Sequence, residues 1–159
     1  MDIRIICVGK LKEKFYLDAA GEYLKRLKAF GQCEIIELNE IPREKNPSPA
    51  SIDAALKREA AEIMEKVQRP CTMVAMCVEG KQIDSPQVAE LLDKCAMSGA
   101  PRMCFVIGGS DGLHPSVKQA ADLRLSMSKM TFPHHLARVM LLEQIYRGFM
   151  IRTGTKYHK

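Results

Sequence analysis

Apolar residues recur along this chain in two patterns: short runs that stop at glycine or at polar clusters, and longer stretches in which they return every three or four positions. Ile3 to Val8 is a run of the first kind and ends at Gly9, which predicts a strand passing into a loop. Phe15, Ala19, Tyr23, Leu27 and Phe30 follow at helical steps and predict an amphipathic helix over 15–30. Cys33 to Leu38 predicts a second strand. Asn39 to Ser51 is polar and carries Pro42, Pro47 and Pro49, the composition of a mobile loop. Ser51 or Asp53 is placed to cap the next helix, whose Ile52, Leu56, Ala60, Ile63 and Val67 keep helical spacing up to Arg69-Pro70.

Thr72 to Val78 is continuously apolar, as a central strand covered on both faces requires, and is expected to stop at Glu79-Gly80-Lys81. A helix is predicted from Ser85-Pro86 to Met97, then a strand over Arg102 to Ile107 that ends in Gly108-Gly109-Ser110-Asp111-Gly112. A short alternation from Leu123 to Ser128 precedes a last helix, about His135 to Ile151. Strands alternating with helices of these lengths predict an α/β fold, a mostly parallel sheet flanked by helices on both faces. The 159 residues suit one domain, 1–159.

Composition narrows the function classes. No apolar run approaches the roughly 18 residues that span a bilayer, and Met1-Asp2-Ile3-Arg4 lacks the layout of a signal peptide, so a soluble cytoplasmic protein with no membrane partner is expected. The six cysteines mostly sit in apolar runs with no CxxC spacing, which reads as reduced, buried thiols and no metal site. A formal charge of +5 permits a polyanionic partner without demanding one.

Candidate chemistry lies in the second half. A glycine pair directly after a buried strand lets backbone approach a ligand, at the strand ends where open α/β sheets bind. Gly108 to Gly112 is neither a dinucleotide fingerprint nor a P-loop, and a plain tight turn is the other reading. Lys129-Met130-Thr131-Phe132-Pro133-His134-His135 offers a lysine, hydroxyl and proline-fixed turn together; the plainer alternative is Pro133 opening a helix that a histidine caps. In the last helix Arg138 falls in line with Leu142, Ile145 and Phe149, and a buried arginine must be paired or hold a ligand. That helix is apolar nearly all round, leaving a stripe of Glu143, Gln144 and Arg147, which argues for cover by its own sheet and by a second subunit, a homodimer. Glu143 and Arg147 also stand at the spacing of an ordinary helical ion pair. The end, Arg152 to Lys159, reads either as a frayed basic tail or as a phosphate- and base-contacting one, with the Lys10-Leu11-Lys12-Glu13-Lys14 loop extending its charge.

Taken in order, Val8-Gly9-Lys10, Ile107 to Leu113, Ser126 to His134, Glu143-Gln144-Ile145-Tyr146-Arg147 and Tyr157-His158-Lys159 resemble the ribosomal RNA large subunit methyltransferase H family along essentially the whole chain. The resemblance implies a SPOUT-type fold with a carboxyl-terminal trefoil knot, a homodimer whose cofactor sites are completed by the partner chain, and S-adenosyl-L-methionine as cofactor. It implies methylation of ring nitrogen 3 of a pseudouridine in helix 69 of 23S rRNA, on the assembled ribosome. The family's cofactor positions fall on Met76, Gly108, Met127, Ser128, Lys129, Met130, Thr131 and Phe132; Met76 replaces a common leucine, apolar for apolar. Catalytic roles carry over to His158, Tyr157, Arg138 and Glu143, and RNA contacts to His134, Arg147, Arg152 and Lys159. The rival expectation is a cofactor-free RNA- or ribosome-binding assembly factor, with the glycine loop a turn and the tail an anchor.

Overall fold

The computed structural model describes residues 1–158. Five strands and five helices alternate: β1 (Asp2–Val8), α1 (Lys14–Leu27), β2 (Gln32–Leu38), α2 (Pro49–Val67), β3 (Thr72–Gln82), α3 (Ser85–Ala96), β4 (Arg102–Ile107), α4 (Pro115–Ala120), β5 (Leu123–Ser126) and α5 (His134–Arg152). The strands form one sheet in the order β2-β1-β4-β3-β5, every pairing parallel. The pleat divides the core into two layers. Ile3, Ile5, Cys7 and Phe105 pack with Leu92, Leu142 and Ile145 of the helices on one face; Ile6, Val8, Met73 and Val106 pack with Ile63 and Val117 on the other. Of the six cysteines, all are free, and burial pushes Cys7 and Cys104 up to about 12.

Helix starts follow local chemistry, in one case not where the sequence pointed. Asp84 caps α3 in a reciprocal box: its carboxylate accepts from the Gln87 amide at 2.8 Å while its own amide donates to the Gln87 side chain at 2.9 Å. For α2 the cap is Ser48, whose hydroxyl accepts from the Ser51 amide at 3.1 Å, rather than Ser51 or Asp53. Pro49 occupies the first turn, where no amide hydrogen is needed, so Ser48-Pro49 outcompetes the later candidates. Neither His134 nor His135 caps α5, which follows directly on Pro133 without a side-chain cap.

Two other expectations change. β3 does not stop at Glu79-Gly80-Lys81: after Met76 pairs with Leu125 the chain bulges outward and rejoins β5 through Lys81 and Gln82. Gly80 makes that return possible, because a Cβ there would stand 2.6–2.8 Å from the backbone of Arg124 and Leu125. The stretch from Asn39 to Ser51, expected as a mobile loop, enters α2 at Pro49, and its 39–48 part is fastened by side chains. Glu59 of α2 is buried and accepts from the Ile41 amide at 2.9 Å and from Arg43 at 2.9 Å.

α5 is the centre of its layer. No residue from His134 to Ile151 is fully exposed, and the cover comes largely from this same chain. Phe149 stacks on Phe30 beyond the end of α1 at 4.8 Å, and Gly148 lets α3 approach so closely that a Cβ would lie 2.8 Å from Leu92. The apolar circumference of α5, expected to be covered by its own sheet and by a second subunit, is thus also flanked by α1 and α3 of the same chain.

Candidate functional site

The carboxyl ends of β3, β4 and β5 open into a cavity of about 670 Å³. Its floor is Met76, Ile107 and Leu125; one wall is the Gly108–Gly112 turn, the opposite wall the 126–134 segment. The glycine turn is tightly built: the Gly112 amide donates to the Gly109 carbonyl at 3.1 Å, and a Cβ on Gly108 would fall on the Gly112 carbonyl. It is also clamped from outside the cavity. Glu40 accepts from the Ser110 amide at 3.0 Å and from the Ser110 hydroxyl, and Arg43 donates to Asp111 at 2.9 Å while holding Glu59. Gly109 passes so near Glu40 that a Cβ would stand 2.7 Å from its carboxylate. Burial alone would raise the Glu40 carboxyl, but the Ser110 hydroxyl and amide outweigh it, so the net shift is downward.

The facing wall is shaped by its own hydroxyls. Ser126 donates to the Ser128 carbonyl at 2.9 Å, and the Ser128 hydroxyl accepts from the Met130 amide at 3.0 Å, which turns the chain from β5 toward Pro133. Of the expected cofactor residues, Met76, Gly108, Met127, Ser128, Met130, Thr131 and Phe132 all line this cavity; Lys129 is exposed and is not part of its lining. His134 joins the lining where α5 begins, its basicity lowered first by burial and then by His135, whose ring centre lies 4.2 Å away. Cys77, Val78 and Glu79, on the bulge of β3, overhang the same space, with Glu79 paired to Lys118.

A second cavity, about 480 Å³, adjoins the first between α3 and α5 and shares Met76, Leu125, Ser126 and Met127 with it. Glu143 and Gln144 line it from α5 and Ser85 from α3, whose hydroxyl donates to Gln144 at 2.6 Å.

The other expected site residues lie apart from the larger cavity. Arg138 is fully buried and lines neither cavity; its guanidinium donates to Glu37 at 2.5 Å and to the Gly9 carbonyl at 2.9 Å. Glu37 also accepts from the Leu11 amide at 3.0 Å, so the pair pins the loop after β1. Arg138 is thereby enclosed and holds that loop through two of its guanidinium nitrogens, while its Nε is buried without a partner among the described residues. The tail is not frayed at Tyr157. Its hydroxyl donates to Glu143 at 3.3 Å, its ring meets Tyr146 edge-on at 5.0 Å, and the Arg147 guanidinium lies 4.8 Å from its centre. Arg147 itself donates to Glu143 at 2.9 Å, and Arg152 is paired with Asp93. His158 is exposed, and Lys159 lies outside the described residues. Helix positions 143–147 stand about 9–15 Å along the axis from Ala137 at the larger cavity, so Tyr157, held by them, rests away from it.

The Glu40, Arg43 and Glu59 clamp escaped the sequence reading, although a signal was present. Glu59 stands three residues after Leu56 and four before Ile63, a charge on the apolar face of its helix. Among the described residues no group of His, Cys, Asp or Glu is arranged to hold a metal ion, and no helix is long and apolar enough to cross a membrane.

A family model described as predicted SPOUT methyltransferase matches residues 1–158. A ribosomal RNA large subunit methyltransferase H from Bacillus cytotoxicus is 45% identical over 159 residues, 100% of both chains. One of the same name from Streptococcus equi subsp. zooepidemicus is 43% identical over the same full span. Among solved structures, a probable methyltransferase from Bordetella pertussis superposes with a TM-score of 0.57 at 14% identity, covering 92% of this chain and 93% of that one. A tRNA methyltransferase from Aquifex aeolicus gives 0.55 at 12% identity, covering 92% and 70%. At such identities the solved structures establish the fold.

Proposed function

The chain belongs to the SPOUT methyltransferase family and is a methyltransferase that uses S-adenosyl-L-methionine, and we propose that it methylates ring nitrogen 3 of a pseudouridine in helix 69 of 23S rRNA. It acts in the cytoplasm on the assembled ribosome, as a homodimer of single-domain chains whose carboxyl-terminal segments form a trefoil knot. The relatives' shared name supports ribosomal RNA as the substrate. The observation that carries the site assignment is the convergence of Met76, Gly108, Met127, Ser128, Met130, Thr131 and Phe132 on one cavity at the strand ends.

The cavity fits the cofactor. Gly108 presents bare backbone where a side chain has no room, Met76, Ile107 and Leu125 give an apolar bed for an adenine ring, and Ser128 and Thr131, residues able to hydrogen-bond a ribose, line the same space. The bound cofactor supplies an electrophilic methyl on a sulfonium. The chain has to hold the target base in line with it and to accept the proton from ring nitrogen 3. His158 is assigned the proton and Tyr157 the positioning of the base. Glu143 and Arg147 hold Tyr157, and Lys159, Arg152 and His134 meet the RNA. The distance along α5 between the tail contacts and the larger cavity favours delivery of His158 by the partner chain.

Incubation with labelled S-adenosyl-L-methionine and free 23S rRNA, 50S subunits or 70S ribosomes tests the substrate. Label is expected in rRNA from assembled ribosomes; a cofactor-free assembly factor would transfer none to any of them.

A further inference from the structure

The loop between β1 and α1 stands beside the mouth of the methyl-transfer cavity and bears a feature that the reaction leaves unused. Leu11 is buried and its amide is tied to Glu37, so Lys10 and Lys12 on either side of it project into solvent. No ion pair among the described residues uses either lysine. Phe15, in the first turn of α1, is 65% exposed, an unusual place for a large aromatic ring. Its ring centre lies 4.3 Å from that of Tyr16; Tyr16 lies 6.0 Å from His135, and His135 4.2 Å from His134, which lines the cavity. Four rings therefore run from open solvent to the cavity mouth, flanked by two free cations. Of the acidic groups nearby, Asp18 is paired with Lys14 at 2.7 Å, and Glu13 stands 3.6 Å from the His135 ring.

We infer that Phe15, with Lys10 and Lys12, is a stacking platform for an unpaired nucleotide of the substrate RNA that neighbours the target base, an inference that rests on the RNA-methyltransferase reading above. Unpaired bases are recognised by stacking on aromatic faces while lysines neutralise the adjoining phosphates. An exposed ring next to unpaired lysines meets both needs, and the loop leaves the carboxyl-terminal end of its strand, the end of the sheet at which the cavity lies. A contact with a second copy of this chain, itself of net charge +5, gains nothing from Lys10 and Lys12.

The test uses the full-length protein and 70S ribosomes. Phe15→Ala should raise the KM for ribosomes roughly 5- to 150-fold, the equivalent of about 1–3 kcal/mol per stacked base, with kcat and cofactor affinity unchanged. Phe15→Trp and Phe15→Tyr should restore KM, whereas Phe15→Leu, apolar but without a ring, should not. Lys10→Ala with Lys12→Ala should reduce the dependence of log KM on log salt concentration by about one unit for each phosphate that is no longer neutralised. An unchanged KM in Phe15→Ala, rescue by leucine, or a change of sedimentation coefficient in Phe15→Ala would overturn the platform while leaving the methyltransferase reading intact. Failure of the unaltered protein to methylate any ribosomal particle would remove the reading beneath it, and the platform with it.

Discussion

Arg138 and Glu37 form a 2.5 Å ion pair between the first turns of α5 and the end of β2, with the arginine wholly enclosed and the carboxylate about one-third exposed. Through the Gly9 carbonyl and the Leu11 amide the pair also fixes the loop that leaves β1. Three segments far apart in sequence are thereby locked at the edge of the cavity where methyl transfer is placed.

Replacing Arg138 with methionine fills the volume but leaves Glu37 unpaired. Because Glu37 keeps contact with water, the loss should fall at the lower end of that for a broken buried pair, about 3 kcal/mol by urea denaturation. Adding Glu37→Gln to Arg138→Met should recover part of it. A loss below about 1 kcal/mol in the single variant would show that the pair contributes no more than a surface salt bridge.

Gly108→Ala should weaken S-adenosyl-L-methionine binding more than tenfold in titration calorimetry, since the new methyl group collides with the Gly112 carbonyl and displaces the cavity wall. Unaltered affinity would mean that this turn does not contact the cofactor.

These two positions differ in how far the sequence revealed them. Arg138 was legible, because its place in line with Leu142, Ile145 and Phe149 required burial and a partner. The partner was not, since Glu37 approaches only through the parallel pairing of β1 and β2. The alternating strands and helices, and the glycine turn at a strand end, were likewise readable from local pattern. The bulge of β3 was hidden because Glu79-Gly80-Lys81 has the composition of a turn, and only the crowding of Gly80 against β5 shows why the strand resumes. The clamp on Ser110 and Asp111 depends on Glu40 and Arg43 crossing about 70 residues of sequence, beyond the reach of any periodicity.

Glu40 makes that clamp sensitive to pH. Its folded-state pKa is depressed by Ser110 against the opposing effect of burial, so its contribution is present above the ordinary carboxylate value of about 4.3 and is lost as pH falls through the folded value. The stability difference between the unaltered protein and Glu40→Gln, followed by chemical denaturation, should stay constant from pH 7 to 5 and shrink below that. A constant difference down to pH 3 would show that Ser110 does not favour the ionised form.

His158→Ala should lower kcat for methyl transfer to ribosomes by about 100-fold, the scale of a lost general base, with cofactor affinity nearly unchanged. In a mixed dimer, His158→Ala on one chain combined with Gly108→Ala on the other should leave one working site if the tail serves its partner. Pairing an unaltered chain with one carrying both changes should leave none. The opposite ranking in single-turnover measurements would place the tail at its own chain's cavity.

The most direct test of the central claim is to map the methyl group on 23S rRNA after incubating the protein with S-adenosyl-L-methionine and 70S ribosomes. Mass spectrometry of the helix 69 fragment should show one added methyl on a pseudouridine, at ring nitrogen 3. A methyl group elsewhere in the rRNA, or unmodified rRNA after full incubation with active, cofactor-binding protein, would contradict it.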